Sequence, residues 1–282
     1  MKLSHIITEI LPMIAMDKSP NTLRSYNFAV RNMVRVLGDL DIKKITVRNI
    51  ETFKAQRLKE VTARSVNMDF RSLKAMFTRI VNMEELKINP FAKSKQLHVP
   101  ENKPLYLSQE NISLILETID DQYFRTIILF AYLTGCRLEE ILHVDWSDID
   151  LSSGVLMIRN KKDFTVKSKK ERGIPLHALL IEALTNLERR SETLIFTDLN
   201  GRKFRSQYIS KKFKKVIRKL KIDDAVHFHT LRHTYATHLI QAGVNIYEVS
   251  RFLGHSSVTV TEVYAHANPE KRHDLINKLR IK

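Results

Sequence analysis

Two separate stretches of the chain hold most of the side chains able to do chemistry. TGCRLEE at 134–140 supplies Arg137. Almost a hundred residues later HTLRH at 229–233 supplies His229 and Arg232, LGH at 253–255 ends on His255, and Tyr264 follows nine residues on. Two arginines, two histidines and a hydroxyl suit one kind of substrate, a phosphodiester. That group is an anion that resists nucleophiles, so cleaving it takes cations on the non-bridging oxygens, a nucleophile in line and an acid for the leaving oxygen. Arg137 and Arg232 can supply the clamp, because a guanidinium stays charged and forks onto phosphate in a way an ammonium does not. His229 and Arg232 are three residues apart, so on a helix they share a face and can reach the same phosphate.

Each piece alone has a plainer reading. HxxR turns up by chance, and a tyrosine beside Val260 and Val263 on a helix is usually a core residue. His229 and His233 are four apart like a metal pair, but no carboxylate or cysteine completes the set and Arg232 would repel a cation, so no metal site is expected. His233 and His238 read as structural. Glu140 reads as a residue that holds the local structure.

Order and spacing together resemble the tyrosine recombinase (phage integrase) family, in its Xer-like group. That family has an arginine in a TGxR segment, a lysine in a β-hairpin turn, HxxR, LGH, and a tyrosine nine residues after the last histidine. Carried over, the catalytic set is Arg137, Lys167, His229, Arg232, His255 and Tyr264. Lys167 fits by lying five residues before Arg172 and eight before Pro175, in the R-x-x-P-L stretch; Lys161 fits when the count starts from Gly154, so both lysines stay open.

The resemblance implies a site-specific DNA recombinase. Tyr264 would attack phosphorus to leave a 3′-phosphotyrosyl link and a free 5′-hydroxyl. His229 would take or return the tyrosine proton, His255 would donate a hydrogen bond to the phosphate, and the lysine would protonate the leaving 5′ oxygen. The link conserves bond energy, so no ATP and no cofactor are expected. The implied partners are a double-stranded DNA site and four protomers on two sites. A paired second recombinase and an accessory activator are further possibilities, and the tail after Tyr264 would dock in cis or on a neighbouring protomer. The core-binding lobe begins almost at residue 1, which favours Xer-type dimer resolution over a short mobile-element integrase or invertase. A type IB topoisomerase and a non-catalytic helix-turn-helix regulator are the other readings. The window 238–265 does look like helix–turn–helix around Gly243, yet TGCR and the hairpin lysine have no place in a plain repressor.

Composition agrees with a polyanion partner. The chain has 282 residues and a formal net charge of +16. Residues 1–97 carry net +9 and residues 98–282 net +7, so both halves are basic, as for two lobes around DNA. The single cysteine, Cys136, forbids an internal disulfide and fits a reducing cytoplasm. Glu9 and His5 interrupt any signal-peptide core, and no long apolar run suggests a membrane span.

The elements that must position these residues are mostly helices. Residues 1–97 read as an all-helical, SAM-like core-binding domain. One helix runs over 19–38, with Ser19 as cap and Pro20 at its first position, a second follows Thr46, and a third covers 62–82. Arg64, Arg71, Lys74 and Arg79 make a basic stripe on the third. Pro100 and Pro104 mark a linker at 98–106. The catalytic domain, 107–282, reads as mixed α/β: helices at 111–119 and 122–133, strands at 154–160, 172–176 and 193–198, a strongly basic helix at 205–222, and helices at 229–243, 245–254 and 256–266. The expected fold class is therefore mainly α with a small β-sheet.

Overall fold

Leu3, Ile6, Ile10 and Ile14 recur at helical spacing, and all four are buried along a π-type turn (Ile6–Ile10) that runs into α1 (Leu11–Ile14). The computed structural model describes residues 1–100, 104–166 and 170–264. The chain divides into two compact units, Met1–Glu101 and Asn102–Lys282. Lys167 and the tail beyond Tyr264 lie outside the described residues.

In the first unit Ser19 caps α2 (Pro20–Leu37), its side chain accepting from the Thr22 amide, and Gly38 ends the helix. Thr46 and Asn49 form a capping box on α3 (Val47–Leu58), and Thr62 caps α4 (Ala63–Asn82). The inward stripe of α4, Val66, Phe70, Leu73, Phe77 and Ile80, is fully buried. Phe91 wedges between Phe70 and Phe77 at ring distances of 5.5 and 5.1 Å. One buried polar tie crosses this core: Asp69 Oδ2 accepts from Arg57 Nη2 and Asn32 Nδ2, each at 3.0 Å, which fixes α4 against α2 and α3. Arg64, Arg71 and Lys74 stay exposed on the outer face of α4, whereas Arg79 is half-buried and paired with Asp17.

In the second unit α5 (Gln109–Thr118) and the apolar α6 (Gln122–Thr134) lead into α7 (Leu138–Ile141). A small antiparallel sheet follows, β1 (Ile149–Asp150), β2 (Val155–Ile158) and β3 (Arg172–Pro175), in the order β1-β2-β3 with Leu156 opposite Ile174 and Ile158 opposite Arg172. The remaining elements are helical: α8 (Ala178–Thr185), α9 (Ser206–Lys219), α10 (Thr230–Gln241), α11 (Ile246–Leu253) and α12 (Thr259–Glu262). Leu156, Ile158 and Ile174 from the sheet share one core with Ile127, Phe130 and Ala131 of α6 and Phe213 and Ile217 of α9. This is a mainly helical fold with a small sheet. No helix among the described residues is long and apolar enough to cross a membrane.

One expected strand fails. Residues 193–198 make only isolated bridges, Asp145 to Leu194 and Thr197 to Lys203. Ile195, Phe196 and Thr197 are buried in succession, without the alternation of a half-buried strand. Their backbone is satisfied elsewhere: the Tyr123 hydroxyl donates to the Ile195 carbonyl (2.6 Å) and accepts from the Thr197 amide (2.9 Å), and Val144 O accepts from Ile195 N. An apolar run thus passes through the core held by a phenol and a few backbone bonds to residues 144–146 instead of a full ladder.

Candidate active site

The turn between α6 and α7 depends on Gly135, whose φ is +62°. A Cβ there would stand 2.3 Å from Tyr235 Cδ1 and 2.9 Å from Leu253 Cδ2, so only glycine lets α10 and α11 pack against this turn. Two residues later Arg137 is the N-cap of α7. Its Nη1 donates to Glu140 Oε1 and its amide to Glu140 Oε2, both at 2.9 Å. The Arg137 side chain keeps 24 % of its surface exposed. Its direction is fixed from below while its outer edge stays open to a ligand.

Glu140 is held from a second side by Arg172 of β3, which sequence reasoning used only as a counting mark. Arg172 Nη2 donates to Glu140 Oε2 at 2.7 Å, and its Nε donates to the Phe252 carbonyl at 2.7 Å. Burial works to raise the Glu140 carboxyl, but Arg172 and Arg137 outweigh it and hold the group below its ordinary range, so it stays ionised. One carboxylate thus orients Arg137 and ties α7 to the sheet, while Arg172 itself ties the sheet to the end of α11.

Arg232 lies in the first turn of α10 and is 2 % exposed. Its Nη1 donates to Gly135 O (2.8 Å) and its Nη2 to Leu253 O (2.7 Å). These bonds bring the TGCR turn, α10 and the LGH turn to one point. Burial, then repulsion from Arg137, brings Arg232 down to about 10, which leaves it charged at neutral pH.

The histidines surround this pair of cations. His229 is the N-cap residue of α10 and faces solvent along part of its ring. The packing beneath that ring, and then His233, Arg232, His227 and Arg137, push it well below the ordinary histidine value. His255 follows Gly254, and its Nδ1 pairs with Thr261 Oγ1 at 2.8 Å, linking the LGH turn to α12. Burial and then Arg232, Arg137 and Arg172 lower His255 to about 4.

Tyr264 is 4 % exposed and packs its ring with Tyr235, Ala236, Val249 and Leu253. Burial raises its phenol, with Arg232 pulling the other way. Its hydroxyl does not meet His229. It lies 2.5 Å from His233 Nδ1. His233, set aside as structural from sequence, therefore touches the nucleophile candidate; its position one turn after His229 on α10 was the available signal. His238 does pair with a structural partner, the Tyr132 hydroxyl at 3.0 Å.

Of the two candidate lysines, Lys161 is among the described residues. Lys161 Nζ donates to Asp145 Oδ2 and Asp148 Oδ2 at 2.6 Å and to the His143 carbonyl at 2.5 Å. Its ammonium is engaged at the base of the sheet, beside His143 and Phe164, whose rings stack at 4.2 Å. Lys167 lies outside the described residues. Arg137, His229, Arg232, His255 and Tyr264 are thus gathered by the turns around α7, α10, α11 and α12.

The depressed histidines have a consequence for stability. His233 and His255 titrate near 4 in the folded protein, so between about pH 4 and 6.5 the unfolded chain binds more protons than the folded one. The stability that comes from keeping them neutral is complete above about pH 6.5 and is lost as pH falls toward their folded values. Thermal melts of the DNA-free protein are expected to shift down from pH 7 to pH 4.5, and less so in His255→Gln. An equal fall in both proteins would show that the His255 ring does not drive it.

Residues 105–271, more than half of the chain, match the phage integrase family, and residues 15–98 match the phage integrase N-terminal domain. The chain belongs to the phage integrase family. It is a tyrosine recombinase, a DNA breaking and rejoining enzyme of site-specific recombination. A tyrosine recombinase of Thermosipho africanus is 28% identical over 271 residues, covering 93% of this chain and 94% of that one. The tyrosine recombinase XerA of Thermococcus onnurineus is 29% identical over 271 residues, covering 94% and 91%. These and further relatives named XerC and XerD support an Xer type. The Tn1549 transposon integrase, solved in complex with transposon right end DNA, has the same fold, with a TM-score of 0.82 at 20% identity over 99% of each chain.

Proposed function

We propose that this recombinase cleaves each DNA strand with Tyr264, forming a 3′-phosphotyrosyl intermediate, and that four protomers on two sites exchange strands through a Holliday junction to resolve chromosome or plasmid dimers. The observation that carries this reading is the convergence on α10. Arg232 is locked to the turns that carry Arg137 and His255, and the Tyr264 hydroxyl lies against the same first helical turn. Arg137 and Arg232 hold the non-bridging oxygens, His229 and His255 offer neutral N–H donors to the same phosphate, and Lys167 protonates the departing 5′ oxygen. Lys161 is the poorer candidate for that acid because two carboxylates already hold it. The Xer-named relatives support dimer resolution. A lambda integrase tetramer bound to a Holliday junction shares the fold at TM-score 0.74 and supports the fourfold assembly. A cytoplasmic location follows from a chromosomal substrate, and a second recombinase or an activator protein fits the same scheme.

The two lobes take separate parts in binding. Residues 1–97 grip the duplex through the outer face of α4, and the second unit adds α9. Ile209, Phe213 and Ile217 bury one side of α9, and Lys211, Lys215 and Lys219 are exposed on the other. Lys211 and Lys214 line a cleft of about 420 Å³ together with Cys136, His227 and His229, so the basic helix borders the proposed chemistry. Lys211→Ala is expected to weaken binding by a similar factor on every duplex tested and to lower the salt slope by about 1, measured by fluorescence anisotropy over a KCl series. An unchanged slope would remove Lys211 from the phosphate contacts.

The reading is tested by a covalent-adduct assay. Wild-type protein is incubated with nicked fragments of the host chromosome, resolved on a denaturing gel, and the trapped complex is digested and mapped. A DNA adduct on the peptide containing Tyr264 supports the proposal, and sequencing the trapped fragment gives the site. Adducts on another residue would reject it.

A further inference from the structure

His233 has no part in the chemistry set out above, yet of the described side chains it is the one hydrogen-bonded to the Tyr264 hydroxyl, at 2.5 Å. The two rings lie 5.7 Å apart, and on its other side His233 meets the edge of His229 at 4.8 Å. Three rings thus run in a row from the open cleft to the buried phenol. The Tyr264 ring sits in an apolar cluster, shielded from bulk water. A shielded phenol that attacks phosphorus must hand its proton to a neighbour, and that neighbour must have a free lone pair aimed at the oxygen.

Resting on the recombinase reading, we propose that His233 is a further catalytic residue: its Nδ1 accepts the hydroxyl proton of Tyr264 as the strand is cleaved and returns it on religation. In cleavage the Oη–H bond breaks and an Nδ1–H bond forms. Tyr264 Oη bonds phosphorus, the bond from phosphorus to the 5′ oxygen breaks, and that oxygen takes a proton from the general acid assigned to Lys167. The products are a 3′-phosphotyrosine, a 5′-hydroxyl and a His233 imidazolium; religation reverses each transfer.

The charges around His233 set when this happens. Burial, then His227 before the helix and Arg232 beside it, lower His233 to about 4. At neutral pH the ring is therefore uncharged, and the tautomer with its proton on Nε2 leaves the Nδ1 lone pair facing the phenol 2.5 Å away. Moving the proton before attack is strongly uphill. It becomes favourable as Oη bonds phosphorus, because the phenol then acidifies and the added negative charge beside His233 supports an imidazolium.

The test compares wild type with His233→Ala and His233→Asn on the nicked chromosomal fragment that wild type traps. Asparagine keeps a hydrogen-bonding atom near the Nδ1 position but does not take up the proton. Both variants are expected to bind DNA as wild type does and to form adduct roughly 10²-fold or more slowly. Their rates should climb more steeply than wild type from pH 7.5 to 9.5, as hydroxide replaces the missing acceptor. A wild-type rate in His233→Asn would reduce the residue to orientation and overturn the proton transfer. A rate above wild type in either variant would make the contact a restraint and overturn it too.

A second measurement needs no DNA. The 15N histidine spectrum at pH 7 is expected to show His233 Nδ1 as an unprotonated acceptor whose shift changes in Tyr264→Phe. A protonated Nδ1 would overturn the proposal. Absence of any wild-type adduct would count against the recombinase chemistry itself, and the spectrum would still decide the contact.

Discussion

Tyr264→Phe is expected to abolish the covalent adduct while leaving DNA binding intact. The change removes one oxygen. If that oxygen is the nucleophile, no neighbouring group replaces it, because covalent catalysis depends on the atom that forms the bond. The rest of the site is untouched: Arg232 keeps its carbonyls, Arg137 keeps Glu140, and the phenyl ring still fills the cluster of Tyr235, Val249 and Leu253. Stability should fall by about 1 kcal/mol for the lost hydrogen bond to His233, a few degrees or less in the melting temperature. Tyr247→Phe is the control, since that ring is 64% exposed on α11 and has no part in the site. It should form adduct at the wild-type rate. Adduct persisting in Tyr264→Phe would move the nucleophile elsewhere.

Much of this site was legible because its residues come in short words with fixed local geometry. TGCR announces a helix stop, a left-handed glycine and a new helix start, and Gly135 and Arg137 take those positions. HTLRH announces one helix face. What the words do not state is which partners meet once the turns converge. Arg172 and Glu140 lie 32 residues apart, and only the folded chain, with β3 packed on α11, makes them a buried pair. His233 looks like any histidine on a half-buried helix until the chain after α12 returns Tyr264 to it. Residues 193–198 looked like a strand because β-rich composition marks burial as readily as pairing, and the Tyr123 hydroxyl that bonds two of its backbone groups is 72 residues away from Ile195. The hairpin lysine could not be fixed by counting because the segment holds several lysines at similar offsets. The ion pairs of Lys161 bear on its candidacy by a criterion that spacing does not contain.

Arg232→Lys carries the second large expected effect, and it separates charge from shape. Lysine preserves the positive charge but has one compact ammonium in place of a planar fork. At this position the fork spans two carbonyls from different turns, Gly135 O and Leu253 O, and in the proposed function its remaining N–H groups serve the phosphate. An ammonium reaching one carbonyl abandons the other, and an unpaired buried carbonyl costs about 1–3 kcal/mol. Loss of one aligned donor to a developing phosphoryl charge typically slows turnover by about 10²–10³. Arg232→Lys should therefore cleave at least about 10²-fold more slowly and melt earlier than wild type. Arg137→Lys should show a similar rate loss with a smaller fall in melting temperature, because Arg137 is 24 % exposed and its carboxylate partner keeps Arg172. Single-turnover cleavage and thermal melts on both variants decide the matter. Near-wild-type cleavage by Arg232→Lys would mean that charge alone suffices at this position and that the carbonyl-locked geometry has no role in holding the phosphate.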